Sequence, residues 1–280
     1  MEIILPSKKP NIPVHPWKIF CQGHQLLKAN VAQLSMIYAA VNLPLTLLAW
    51  LPQIRALEGQ KSGLAVWAWL LFVVAASSWG HIALLLGIQK AQAGQAYSVW
   101  QSINRAQGFL IKYLALLACV MLFFAGLLIT AGISAALVIQ FLTRINIILT
   151  LVLCCLVIVA VICLGVYYSL RWSLAALICV YENRWPLPAL RASLNLLKQY
   201  INPLTGVYGI ILLLYILGLA PVLVAEYLLG DRAETVFAQK AVTLYLFLLN
   251  IILVPLWNCV TVVLFNKLKT IMETHVHAQR

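Results

Sequence analysis

The sequence predicts an all-α polytopic membrane protein with six transmembrane helices, and three observations carry that expectation. Of 280 residues, 64% are apolar and 9% charged, whereas a water-soluble domain carries about a quarter charged side chains. Six segments are apolar over the roughly 20 residues that a helix needs to cross about 30 Å of hydrocarbon. The basic residues gather in alternate connections between those segments.

The spans run from Leu34 to Leu51, Leu64 to Ile88, Phe109 to Ile133, Asn146 to Tyr168, Leu204 to Leu228 and Val242 to Phe265. The second holds Ala75, Ala76, Ser77, Ser78 and Gly80, small residues that let another helix approach closely. The apolar stretches Phe109 to Leu142 and Asn146 to Tyr181 exceed one crossing. Such helices are expected to tilt, to break at Gly126 or Gly132, or to project past the headgroups. Arg171 then lies near the interface, within reach of phosphates.

Charge sets the orientation. Lys8, Lys9, Lys18 and Lys28, then Lys90, Arg105 and Lys112, then Arg171, Arg184, Arg191 and Lys198, then Lys267, Lys269 and Arg280 fall on one side. Only Arg55, Lys61, Arg144, Arg232 and Lys240 fall on the other, where Glu58, Glu226, Asp231 and Glu234 offset them. Basic residues favour the cytoplasmic face, so both termini are expected there, in the inner membrane of a bacterium. Lys8, Lys9, Pro10, Pro13 and Pro16 interrupt the stretch where a cleavable signal needs an apolar run. The net charge of +12 is spread between spans instead of forming the polar patch that nucleic acid requires, so anionic lipid is the expected counterpart.

Basic amphipathic segments precede alternate spans. Phe20 to Val31 precedes the first and Leu190 to Ile201 the fifth, aligning Leu26, Leu27, Lys28, Leu34 and Tyr38 with Leu196, Leu197, Lys198, Leu204 and Tyr208. Asn104 to Tyr113 precedes the third, with Arg105, Ala106, Leu110 and Lys112 set 86 positions before Arg191, Ala192, Leu196 and Lys198. The pattern predicts three repeats, 17–88, 97–182 and 186–266, each a short interfacial helix plus two transmembrane helices, with polar tails at 1–16 and 267–280. Apolar residues at three- and four-residue spacing would enter the acyl boundary. Each cation would meet anionic headgroups with about 1 kcal/mol. As simple topology anchors, the same segments would need no specific lipid.

The stretch RWSLAALICVYENRWPLPALRASLNLLKQY and the later VPLWNCVTVVLFNKLK resemble the membrane domain that precedes glycerophosphodiester phosphodiesterase catalytic domains in some bacteria, and its stand-alone relatives. The resemblance covers residues 165 to 270 and rests on Glu182 at the end of a long helix, on Ala189, Leu190 and Ser193, and on Pro255 before Lys267 and Lys269. The sequence reaches Arg280 without that family's soluble metal-binding domain. The resemblance therefore implies a membrane module lacking the family's known chemistry.

Candidate chemistry is sparse. Glu182 is the sole carboxylate between Glu58 and Glu226; it is expected either to pair with Arg171 or Arg191 at the elbow, or to form an exposed pair contributing about 0–1 kcal/mol. His81 lacks an acidic or histidine neighbour at helical spacing for a proton relay, so a neutral interhelical hydrogen bond is expected. The seven cysteines match no zinc, haem or disulfide spacing and read as small buried hydrophobes. His275 and His277 read as part of a disordered tail, and no cofactor or metal is expected. Asn250 and Asn258 lie eight residues apart on the sixth span and would line a polar path. Intramembrane protease and metal signatures are missing, so catalysis is not expected.

The functional expectation is a non-catalytic membrane module contacting anionic lipid, and a protein partner or second copy, through Lys28, Arg105, Lys112, Arg171, Glu182, Arg184, Arg191 and Lys198. The alternative is a transporter or channel for a small neutral or lipid-derived molecule, using Asn250 and Asn258.

Overall fold

The computed structural model describes residues 15–49, 63–142, 147–198, 200–229 and 236–278. Lys8, Lys9, Arg55, Glu58, Lys61, Arg144, Asn146, Asp231, Arg232, Glu234 and Arg280 lie outside those residues. Every regular element described is helical: α1 (Pro16–Ala49), α2 (Gly63–Gln92), α3 (Val99–Leu142), α4 (Ile147–Trp172), α5 (Ala175–Tyr181), α6 (Pro186–Leu197), α7 (Ile201–Leu229) and α8 (Val236–Ala278). Six stretches are long and apolar enough to cross a bilayer, making the chain a polytopic α-helical membrane protein. Two compact units arise, residues 1–111 with 202–280, and residues 112–201.

In the first unit, α1 packs most extensively on α8 and next on α2. Glycines let these backbones close. A Cβ on Gly23 would lie 2.6 Å from the Val260 Cα, and one on Gly87 2.7 Å from the Ile37 Cδ1. Pro255 has no N–H, so it leaves the Ile251 carbonyl of α8 without its helical donor. Ser35 of α1 supplies one, its hydroxyl donating to the Ile251 oxygen at 3.2 Å. α8 therefore continues through Pro255, and α7 through Pro221, instead of breaking there. The Tyr208 and Trp257 rings stack at 4.5 Å between α7 and α8.

The three basic segments begin helices at Pro16, Val99 and Pro186. Proline suits a first helical position because its missing N–H would have no partner there; at Val99 the preceding Ser98 caps instead, its Oγ accepting from the Gln101 N–H at 3.1 Å. Ile19, Gly23, Leu27, Leu34, Ile37 and Val41 are buried, and so are Ala189, Ser193, Leu197, Leu204, Val207 and Ile211, each 170 positions on. In α3 the matching register is 87 positions: Ser102, Ile103, Ala106 and Tyr113 correspond to Ala189, Leu190, Ser193 and Tyr200. That shifts the expected alignment by one residue.

The junctions between segment and span differ from one another. α1 kinks at Asn30 (φ −129°, ψ 17°), where the Asn30 Nδ2 donates to the Leu26 carbonyl at 3.0 Å. α6 ends before α7 starts, a full break. α3 runs unbroken for 44 residues through Gly126 and Gly132, roughly 66 Å at 1.5 Å per residue. The expected separate interfacial helix at 104–113 is therefore the first part of one rod. No proline interrupts α3, and its intact backbone ladder costs less than a break in lipid. The C-terminal polar stretch is likewise helical through Ala278, in place of the disordered tail expected from its composition; Lys, Met and Glu are good helix formers. The side chains of His275 and His277 lie outside the described residues.

In the second unit, Phe123 packs on Tyr168 and Trp172 at 4.8 and 4.7 Å. Few side chains of α3 and α4 are buried in their spanning windows. Cys155 and Cys163 are exposed and only Cys179 and Cys259 are fully buried, which corrects the expectation of buried thiols. A lipid-facing position suits a small apolar side chain as well as a core does.

Replacing Gly23 by Val is expected to destabilise the purified protein by about 1–3 kcal/mol, because backbone atoms of α8 occupy the space. Gly108→Ala, which meets nothing within 4 Å, should be neutral or stabilising by up to about 1 kcal/mol. Thermal unfolding in detergent compares the two, and equal melting temperatures would contradict the packing argument.

Candidate membrane-interface site

Each basic segment turns an apolar stripe inward and a mixed stripe outward. In α6, Ala189, Leu190, Ser193, Leu196 and Leu197 are buried while Leu187, Arg191, Asn195 and Lys198 are exposed. Positions 187, 191, 195 and 198 follow the four-four-three spacing of one helical face. In α1, Trp17, Lys18 and Lys28 are exposed opposite Ile19 and Leu27; in α3, Trp100, Arg105 and Ile111 are exposed while Ile103 and Ala106 are buried. Trp17 is 57% exposed, Trp100 68% and Trp185 60%. All three stand within two residues of a segment's helix start, and large aromatic rings of this kind settle at headgroup depth.

The buried side of α6 is pinned by polar as well as apolar contact. Ser193, fully buried, donates from its hydroxyl to the Arg171 carbonyl at 2.6 Å. That carbonyl lies in the last turn of α4, where carbonyls have no intrahelical donor. Ser193 thus ties α6 to the end of α4, with Ala189 and Leu190 buried on the same side of the helix.

The turn into α6 holds the remaining charged groups. Asn183 adopts a left-handed backbone (φ 54°), which asparagine tolerates better than most residues. Its Oδ1 accepts from the Lys112 Nζ at 2.6 Å, and Lys112 also lies 5.6 Å from the centre of the Trp185 ring. Glu182 pairs with Arg184, Oε2 to Nε at 2.8 Å. The Arg171 guanidinium stacks 4.7 Å over Tyr167, its Nε buried without a hydrogen-bond partner among the described residues. The ion pair of Glu182 with Arg184, two residues along the turn, is partly exposed. The Tyr200 hydroxyl is buried without a partner, and burial raises its pKa and keeps it protonated.

Of the expected site residues, Lys112, Arg171, Glu182, Arg184, Arg191 and Lys198 belong to the second unit, and Lys28, Arg105, Asn250 and Asn258 to the first. Lys28, Arg105, Arg191 and Lys198 are exposed with no acidic partner among the described residues. Asn250 and Asn258 do not share a polar surface. Asn250 lines a cavity, whereas Asn258 is buried and donates to the Val254 carbonyl of its own helix at 2.8 Å. Eight residues turn a helix by about 80° and advance it about 12 Å, enough to move Asn258 into the packed layer. His81 is half-buried beside Gly80, in the part of α2 that meets Val41 of α1. Among the described residues, no group of three His, Cys, Asp or Glu could hold a metal ion. Sequence spacing did not single out the tryptophans at the segment starts; their place beside basic residues was the available signal, and only the fold gives their exposure. No protein-family model, curated protein or solved structure matches the chain.

Asn183 separates backbone strain from side-chain contact. Asn183→Gly should cost only the Lys112 hydrogen bond, about 1 kcal/mol or less in this exposed pair. Asn183→Ala should cost roughly a further 1–2 kcal/mol from the left-handed backbone. Thermal melts of the two variants in detergent check the difference, and an alanine variant as stable as the glycine one would be evidence against the strained turn.

Proposed function

We propose that the protein is a non-catalytic inner-membrane module whose three basic segments hold anionic lipid at one leaflet. The observation that carries this reading is the outward stripe itself. It joins bulky apolar side chains (Trp17, Trp100, Leu187) to cations without an internal acidic partner (Lys28, Arg105, Arg191, Lys198). A cation that no carboxylate of the protein neutralises is available to a phosphate, and an exposed indole beside it belongs at the depth where phosphates lie.

Each segment leads into a span that starts on the same side, because six spans alternate in direction and the segments precede the first, third and fifth. The positive-inside bias puts that side in the cytoplasm. The recurring register of burial supports reading them as three copies of one unit, with the kink at Asn30, the unbroken rod of α3 and the end of α6 at Leu197 as three solutions to the same junction. The resemblance to phosphodiesterase-linked membrane domains is consistent with a lipid-facing role.

Neutralising Arg191 and Lys198 together (R191Q/K198Q) removes about 2 kcal/mol of attraction at about 1 kcal/mol per basic residue, roughly a thirty-fold loss of anionic-lipid retention. Both side chains are exposed, so the melting temperature should stay within about 2 °C of the parent. Native mass spectrometry of protein extracted with its lipids reads the retention. Unchanged phosphatidylglycerol binding in the variant would remove the basis for this reading.

A further inference from the structure

A cavity of about 390 Å³ lies between α1, α2 and α8 in the first unit, within the range of small-molecule sites. Its lining comes from the second half of α1 and the first halves of α2 and α8. It therefore lies toward the C-terminal end of α1, away from the basic segment with which that helix begins. The proposal that follows is independent of the lipid reading above.

The cavity carries uncharged polar groups on an otherwise apolar wall. Tyr38, Asn42, Thr46, Ser77, Thr243 and Asn250 face it, and no Asp, Glu, Lys, Arg or His does. Part of this hydrogen-bonding capacity is already used. Asn42 donates from Nδ2 to the Tyr38 carbonyl at 2.9 Å, and the Thr46 hydroxyl to the Asn42 carbonyl at 2.9 Å. The Tyr215 hydroxyl donates to the Asn250 Oδ1 at 3.4 Å. What remains is the Asn250 amide nitrogen, the Ser77 and Tyr38 hydroxyls and the Asn42 side-chain oxygen, which have no hydrogen-bond partner among the described residues. Donors and acceptors are thus both on offer, and a hydroxyl group is the small ligand group that uses both at once. A bare ion would lose its hydration with no opposite charge to compensate.

Beside it lies a second cavity of about 590 Å³, lined by apolar groups that include Ala40, Pro44, Phe72, Ala75 and Ala76. Leu45 lines both, but the other lining residues come from different faces of α1 and α2, so the apolar cavity is a separate one. We infer that the α1–α2–α8 cavity binds an uncharged, hydroxyl-bearing group. At roughly 30 Å³ per water-sized group, the polar chamber holds about a dozen such groups, the scale of a glycerol or single-sugar head. The hydroxyl group has two sources, a free polyol or the head of an uncharged lipid.

The test is native mass spectrometry of the full chain in mild detergent, titrated with monoolein (an oleoyl chain on glycerol) and, separately, with glycerol. Ser77→Ala and Asn250→Leu remove hydrogen-bonding groups, and circular dichroism checks the helix content of each. Ser77→Ala removes one hydroxyl and adds no bulk, so it reads the site even if Asn250→Leu fails to fold. The expected result is a stoichiometric adduct that falls about fivefold or more in the folded variants, the effect of one lost hydrogen bond. Binding of monoolein alone assigns the site to a membrane lipid, and binding of glycerol alone or of both assigns it to the polyol head. Absence of an adduct with either probe, or equal adducts in the parent and the folded variants, overturns the proposal.

Discussion

The first unit depends on how closely α1 can approach α8. In lipid, two apolar helices gain little from hiding apolar surface, since the surrounding chains are as apolar as their side chains. Contact must come from close packing and from backbone groups that lack partners. Gly23 removes the side chain that would collide with the Val260 backbone. Pro255 exposes a carbonyl that only a neighbouring helix can satisfy, and Ser35 satisfies it. Removing either feature leaves α8 with weaker reason to choose α1. The cavity then follows from the same arrangement, because Asn42 and Thr46 lie on α1 two to three turns beyond Ser35, and Asn250 adjoins Ile251 in α8.

The second unit solves a different problem with similar means. α4 ends in Arg171 and Trp172 and gives way to a turn at Ser173, whose hydroxyl donates to the Leu170 carbonyl at 2.7 Å. The neighbouring Arg171 carbonyl is taken by Ser193 of α6. Two serines thus account for two of the last carbonyls of α4, groups that would be costly to leave bare near the hydrocarbon. α6 is tied to the end of α4 by this bond and packs also on α5, with Ala189, Leu190 and Leu197 buried. Its outward face is consequently given over to Leu187, Arg191 and Lys198.

Much of this was legible residue by residue. The spans follow from apolar length, and the amphipathic segments from three- and four-residue spacing such as that of Leu190, Ser193 and Leu197. What sequence spacing misjudged were the junctions and the polar path. The register of α3 differs by one residue from the expected alignment because Arg105, Ala106, Leu110 and Lys112 match by identity, while burial follows Ser102, Ile103, Ala106 and Tyr113. Glycines at 126 and 132 suggested a break that an otherwise intact helix does not make. Asn250 and Asn258 looked like one polar face until α8 was placed among its neighbours.

The sequence by itself determined that this chain is a membrane protein, how many times it can cross, and which segments carry cations beside apolar residues. Those properties depend on composition and local periodicity, which a single helix already possesses. Only the tertiary structure decided that Ser35 would complete the ladder broken at Pro255, that Ser193 would hold α6 to the end of α4, and that Ser77 and Asn250 would face one chamber. Each of those outcomes joins residues from different helices, and their meeting depends on rotation and close approach that no spacing along one strand of sequence encodes.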